Sequence, residues 1–263
     1  MKQIFGLFIF CLLLCAVQGG VVQAQDKTFQ NSIGMEFVLI PAGKFTNKWT
    51  TETVNDSGEK TTHPQQRVVT ISKPFYLGKY EVTQEQWVAV MGSGNNPSKN
   101  KGRTNPVEQV SWNDAQEFIK KLNEKEGGKK YRLPTEAEWE HAARAGSETD
   151  WFFGNDKAAL DQYAWFGKNS KDSMHPVGQK QPNPWGLYDI YGNVSEWVED
   201  WYGEYQAGAV TDPKGPEKGS LRVTRGGRWL SSAEKCQSAL RDYTYPVIQE
   251  DVLGFRLAFS PGH

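Results

Sequence analysis

The rhythm of hydrophobic and polar positions changes several times along the chain. Ile33 to Phe45 reads as two short strand-like runs parted by a Pro-Ala-Gly turn. Thr46 to Gln66 is polar and turn-rich, and the strand pattern resumes from Arg67 to Leu77. The spacing predicts a small β-meander with an exposed loop.

Helical periodicity follows. Thr83 with Gln86 fits a capping box, Trp87 to Met91 supplies a short helix, and Gly92 stops it. Between Ser111 and Glu126, the residues Trp112, Ala115, Ile119 and Leu122 recur on one face of a second helix, with Gly127-Gly128 behind it. After Pro134, Thr135 and Glu138 form another capping box, for a helix that ends at Gly146. From Trp151 to Tyr205 the periodicity vanishes. Aromatic residues there alternate with Gly, Pro, Asn and Asp, the makeup of long ordered loops pinned by rings. Leu221 to Trp229 and Leu253 to Phe259 read as strands around a polar, uneven stretch. With no repeat, low-complexity tract or linker, the elements predict a single α+β domain.

The amino terminus changes the boundaries of that domain. Lys2, the apolar run Ile4 to Val17, and Val22-Gln23-Ala24 ahead of Gln25 form a secretory signal peptide over residues 1–24, leaving a domain of residues 25–263. The run is about 14 residues, short of the roughly 20 a membrane-spanning helix needs. A secreted or periplasmic protein is expected. Lipid anchoring through Cys15 is the alternative, against which Leu14 stands where a small residue is usual, and membrane contact is expected only with such an anchor. Of the 3 cysteines, Cys11 and Cys15 depart with the signal peptide, so Cys236 has no partner for an internal disulfide.

Charge and composition exclude some functions. Lys plus Arg number 30 against 31 for Asp plus Glu, without the basic clustering that nucleic acid requires. An aromatic content of 13%, with 10 Trp and 26 Gly, predicts a core of large rings and tight turns. No two histidines lie four residues apart, so no helical metal pair exists; His141 reads as structural or solvent-facing and His175 as a loop hydrogen-bonder. No Gly-x-Ser-x-Gly elbow is present. Glu136, Glu138 and Glu140 sit at a capped helix start, where capping and surface pairing are expected. Cys236, near Ala233, Ala239 and Leu240, reads as a small buried hydrophobe.

The order of motifs carries a resemblance. Gly34 to Gly43, Tyr80-Glu81-Val82-Thr83, Val110-Ser111-Trp112 and Tyr131 to Glu140 are followed by Pro184 to Asp189, Gly192 to Trp197, Arg225-Gly226-Gly227 and Leu253-Gly254-Phe255-Arg256. In this order they resemble the sulfatase-modifying-factor family. The resemblance implies an α+β, irregular, loop-rich C-type-lectin-like fold of the formylglycine-generating-enzyme type, commonly stabilised by calcium. Members of such a fold include oxidases and pure binding proteins, so individual residues must decide.

Formylglycine generation uses two cysteines that hold a copper ion and oxidise a sulfatase cysteine. The matching positions here are Ser231 and Cys236. A serine hydroxyl is a hard, neutral donor and does not replace a thiolate toward Cu(I), so copper is not expected and no catalytic residue is assigned. The His-x-x-x-His-x-Glu motif of the related sulfoxide synthases is also missing. The segment Asp189 to Trp197 resembles the family's calcium loop, with Asp189 and Glu196 giving side-chain oxygens and Gly192 and Val194 giving carbonyls. The alternative is that the two carboxylates cap turns and pair with Arg225 or Arg256.

In the family, the stretch matching residues 228–252 lines the surface that meets substrate peptide or ligand. Arg228, Lys235, Tyr243, Tyr245 and Ile248 are the expected ligand-binding residues, and Trp229 is expected in the core. The expected function is a non-catalytic binding domain for an extracytoplasmic protein or small ligand. One variant of the family diversifies this stretch through a retroelement, which is compatible with its uneven composition. The alternative function is a copper-dependent oxidase that converts a sulfatase cysteine to formylglycine, or another redox enzyme of the family.

Overall fold

The structure, a computed structural model, describes residues 27–55, 57–127 and 131–260; the expected signal peptide lies outside them. The elements in order are β1 (Thr28–Gln30), β2 (Glu36–Ile40), β3 (Gly43–Val54), β4 (Lys60–Ile71), β5 (Phe75–Gly78), α1 (Gln84–Met91), α2 (Trp112–Lys125), β6 (Tyr131–Arg132) and α3 (Glu136–Arg144). Then come β7 (Ser195–Trp201), β8 (Val210–Thr211), β9 (Arg222–Arg225), β10 (Arg241–Thr244), β11 (Leu253–Gly254) and β12 (Ala258–Phe259). Short 3-10 segments lie at Lys157–Gln162 and Ala233–Lys235. Three sheets result, with strand orders β1-β2-β5-β12-β6, β10-β9-β7-β11 and β3-β4-β8.

All three helices begin where the sequence places them. Thr83, Ser111 and Thr135 each accept a hydrogen bond from the backbone amide three residues on, and the side-chain oxygens of Gln86, Asp114 and Glu138 accept in turn from the cap backbone amide. Two orphan donors are satisfied at each start, so the helix ends are set by local side chains.

The strands depart from expectation at β10, which forms inside the stretch read as uneven, and more informatively in two other places. The segment read as an exposed loop, Thr46 to Gln66, forms most of a hairpin in which β3 and β4 pair from Gly43↔Ile71 to Val54↔Lys60. Its turn is held by Asn55, whose Oδ1 accepts from the amides of Ser57 and Glu59. Both faces of the distal hairpin meet solvent, so its threonines and charged residues need no apolar alternation and the strand signal disappears. The second departure is β7, inside the stretch read as irregular. It is buried on both faces for most of its length, which also erases alternation.

Two apolar clusters fill the interior. One gathers Trp139, Trp151, Tyr191, Val198 and Val223 behind α3 and the base of the hairpin. The other packs α1 and α2 on the β1-to-β6 sheet, with Trp87 stacked on Phe118 at 5.3 Å and Phe255 edge-on to both. Large rings thus do the work the composition assigns them.

Candidate functional site

A frame of buried ion pairs is centred on α3. Glu140 accepts from Arg225 Nη2 through one oxygen, at 2.8 Å, and from Arg144 Nε and Nη2 through the other. Glu136 accepts from Arg241 Nη2 at 2.9 Å and from the Tyr205 hydroxyl at 2.8 Å. The expectation of capping and surface pairing is right for Glu138, which closes its capping box and takes a bidentate Arg132. It is wrong for Glu136 and Glu140, which are buried. Arginines from β9 and β10 reach inward to meet them, and a charge pair with its hydrogen bonds filled can be buried where a single charge cannot.

The loop before β7 is shaped by its glycine. At Gly192, with φ of 76°, a Cβ would come within 2.1 Å of the Trp165 carbonyl oxygen, so no larger residue fits. Downstream, Glu196 is engaged by Arg256 through both oxygens, at 2.7 Å from Nε and 2.6 Å from Nη2, and also accepts from the Trp139 indole. Arg256 donates further to the carbonyls of Gly78, Tyr188 and Asp189. Asp189 accepts from the Gly178 amide through Oδ2, while its buried Oδ1 has no partner. Glu81 lies against the same loop, accepting from Asn193 Nδ2 and the Val194 amide. Burial, reinforced by the neighbouring carboxylates, pushes both Glu81 and Asp189 above the usual carboxylate range.

These facts bear on calcium. Among the described residues no group of three or more His, Cys, Asp or Glu side chains is arranged to hold a metal ion. A cation in this loop must therefore draw on backbone oxygens as well. The orphaned oxygen of Asp189 and the excess of buried carboxylates over arginine fit a hard cation at that end of the loop. Glu196 joins such a site only by sharing oxygens with Arg256.

Ser231 and Cys236 are set in different surroundings. Ser231 lines a 250 Å³ cavity with Arg228, Leu230, Lys235 and Asp242, and its hydroxyl accepts from the Arg228 amide. Cys236 is absent from that lining and fully buried in the cluster behind α3, where burial pushes its thiol up to about 12. Such a thiol stays protonated near neutral pH, whereas a metal or an oxidant needs the thiolate. His141 is buried, with Nε2 at 3.0 Å from the Pro41 carbonyl, and His175 reaches the Ser170 carbonyl.

The expected ligand surface is largely on the outside. Tyr243 is 45% and Tyr245 58% exposed, joined by Leu230 at 48% and Val247 at 65%. Lys235 is exposed and Arg228 half-buried, whereas Ile248 and Trp229 pack against the α1/α2 cluster. Tyr243 packs on Tyr202, with ring centroids 4.0 Å apart and the planes tilted by 39°. Tyr202 in turn lines a 760 Å³ groove with Trp49, Tyr205, Gln237 and Leu240. Leu240 also lines the smaller cavity of Ser231, so the two depressions meet at this side chain. The groove escaped the sequence reading because one wall is the unrecognised hairpin.

Comparisons with known proteins agree with this picture. The model for a sulfatase-modifying factor enzyme 1-like domain matches residues 22–261. Chaperone protein LppX of Paenibacillus barcinonensis is 30% identical over 88% of this chain and 90% of its own. The formylglycine-generating enzyme of Thermomonospora curvata is 35% identical over 66% of this chain, which spans 64% of that enzyme. Treponema denticola variable protein 1 superposes with a TM-score of 0.75 at 34% identity, covering 91% of this chain and 100% of that one. The fold is accordingly the sheet-rich, C-type-lectin-like α+β fold of the formylglycine-generating-enzyme type. Among the described residues no helix is long and apolar enough to cross a membrane.

Proposed function

The chain belongs to the sulfatase-modifying factor enzyme 1-like family, and we propose that it is a non-catalytic member which captures an extracytoplasmic protein on the surface of residues 228–252. One observation carries the reading. Of the large hydrophobic side chains exposed among the described residues, Leu230, Tyr243, Tyr245 and Val247 fall in this short segment, while Val54 and Val68 lie elsewhere. Clustered exposed apolar and aromatic groups beside Arg228, Lys235 and Asp242 have the composition of a recognition patch.

Supporting points come from the relatives and from the buried thiol. A relative of similar extent is named a chaperone, which fits a protein ligand. Likeness to a variable protein fits a surface that differs among related copies. The inaccessible Cys236 and the serine at position 231 leave the copper chemistry of the oxidase reading without ligands. A calcium ion at Asp189 with loop carbonyls, and export ahead of Gln25, complete the proposal.

A photoreactive residue placed at position 245 tests it in the cell envelope. It should trap a discrete protein partner that one at position 54 does not trap. Tyr243→Ala with Tyr245→Ala should abolish capture by the same protein, read by cross-linking from position 235, without lowering the melting temperature. Equal trapping from 54 and 245 would sink the reading. Conversion of a sulfatase-type cysteine peptide to formylglycine, seen by mass spectrometry with copper and oxygen supplied, would favour the oxidase instead.

A further inference from the structure

A third cavity, of 320 Å³, lies between α3, the β3–β4 hairpin and the segment from Gly203 to Pro216. Its carboxylates are unequally provided for. Glu136 has Arg241, and Glu140 has Arg144 and Arg225. Asp200, near the end of β7, has no cation. It is 3% exposed, and its one hydrogen bond runs from the Glu136 amide to Oδ2 at 2.8 Å. Glu136 and Glu138 on α3 and Glu199 on its own strand act on it with negative charge. Arg222 on β9 acts on it with positive charge but is engaged by the Glu199 carbonyl and by the Trp112 and Trp201 rings.

The cations along the wall are committed elsewhere. Arg241 donates to Glu136 and to the Gly203 carbonyl. Arg67 stacks on Tyr205 and donates to Asn47 and the Gln206 carbonyl. Lys214 is exposed. Beside Asp200, the Pro213–Pro216 turn comes so close that a Cβ on Gly215 would stand 3.3 Å from Oδ1 and 2.9 Å from the Trp201 carbonyl oxygen. Phe45, Val69, Ala137 and Val210 give the remaining wall an apolar character.

We propose that this cavity binds a primary alkylammonium group, with the charge at Asp200 and the carbon chain along Phe45, Val69 and Val210. An isolated buried carboxylate is held neutral by a proton. On binding, the carboxyl releases that proton to solvent and the ammonium donates charge-assisted hydrogen bonds in its place. A metal ion is a poorer match, since among the described residues no carboxylate cluster is arranged to coordinate one. The chemistry is shared by a free alkylamine and a lysine side chain. The assignment is independent of the 228–252 surface.

The test uses the whole protein, with melting curves and titration calorimetry between pH 6 and 9. The probes are n-butylammonium chloride and Nα-acetyl-lysine amide, with n-butanol and sodium chloride as controls. A saturable rise in melting temperature is expected with n-butylammonium and not with the controls. Affinity should climb about tenfold per pH unit as far as pH 8, because Asp200 is pushed up to about 8 and must ionise first. Asp200→Asn should weaken binding at least tenfold. Acetyl-lysine amide binding as tightly as n-butylammonium identifies a polypeptide side chain as the source; weaker binding identifies a free amine. No saturable effect, a pH-independent one, or an equal one in Asp200→Asn overturns the proposal. Should Asp200→Asn fail to fold, the pH series on the unaltered protein decides alone.

Discussion

Glu140 and Arg225 lie 2.8 Å apart with 1% and 0% of their side chains exposed. The same carboxylate holds Arg144 at 2.8 Å, so one negative charge serves two guanidiniums from different elements. Removing that charge while keeping its shape leaves both cations short of a partner. Glu140→Gln should destabilise the fold by about 3–5 kcal/mol, measured by urea unfolding. Glu234→Gln, which loses only the solvent-exposed pair with Lys157, should leave the unfolding midpoint where it is.

Asp200 makes stability depend on pH. Burial first, and Glu136 next, raise it from the ordinary 3.8 to about 8 in the folded chain. Between these values Asp200 is protonated in the folded state and ionised in the unfolded one, so its contribution to stability is greatest below about pH 4 and is lost as the pH rises toward 8. Asp200→Asn removes this contribution and leaves that of the raised Glu81 and Asp189. At pH 8 the variant should be roughly 2–4 kcal/mol more stable than the parent, and at pH 4 the two should coincide. A difference in unfolding free energy between parent and variant that stays constant from pH 4 to 8 would contradict the assignment.

Calcium should raise the melting temperature through linkage, by about 2.7 kcal/mol of stability at a hundred times the dissociation constant. Asp189→Asn should remove the response, because it neutralises the carboxylate whose second oxygen has no partner. If neither calcium nor a chelator moves the melt, Arg256 alone closes the loop.

Cys236 should stay silent to thiol reagents in the native protein and react only on unfolding, since burial holds its thiol at about 12. Cys236→Ser places a hydroxyl in an apolar cluster and should cost about 1–3 kcal/mol without touching partner capture. Rapid native labelling with an Ellman-type reagent would show the sulfur to be accessible.

What the sequence discloses and what it hides follow a physical division. Helix starts depend on side chains three residues apart, so Thr83, Ser111 and Thr135 could each be read locally or nearly so. Internal pairing of Arg225 and Arg256 was legible from their motifs, and the exposure of Tyr243 and Tyr245 from the polar residues around them. Burial of Glu136 and Glu140 was hidden, because it depends on Arg225 and Arg241, 85 residues away or more along the chain. Asp200 was hidden for a related reason. Its segment, Ser195 to Trp201, gives no alternation, and an isolated buried acid leaves no mark in composition.

The place of the last strands bears on how the chain can be made. β12 lies between β5 and β6, and β11 pairs with β7, so residues 253–259 complete two sheets by pairing with strands synthesised much earlier. Arg256, in the same segment, ties Glu196 to the Gly78 carbonyl 178 residues upstream. A nascent chain that has not yet emerged as far as residue 259 therefore presents an open sheet edge, an unpaired Glu196 and the uncovered rings of Trp87 and Phe118. Completion of the two sheets therefore waits for residues 253–259, and a chain truncated before Leu253 should lose both its closing strands and the Arg256 tie at once.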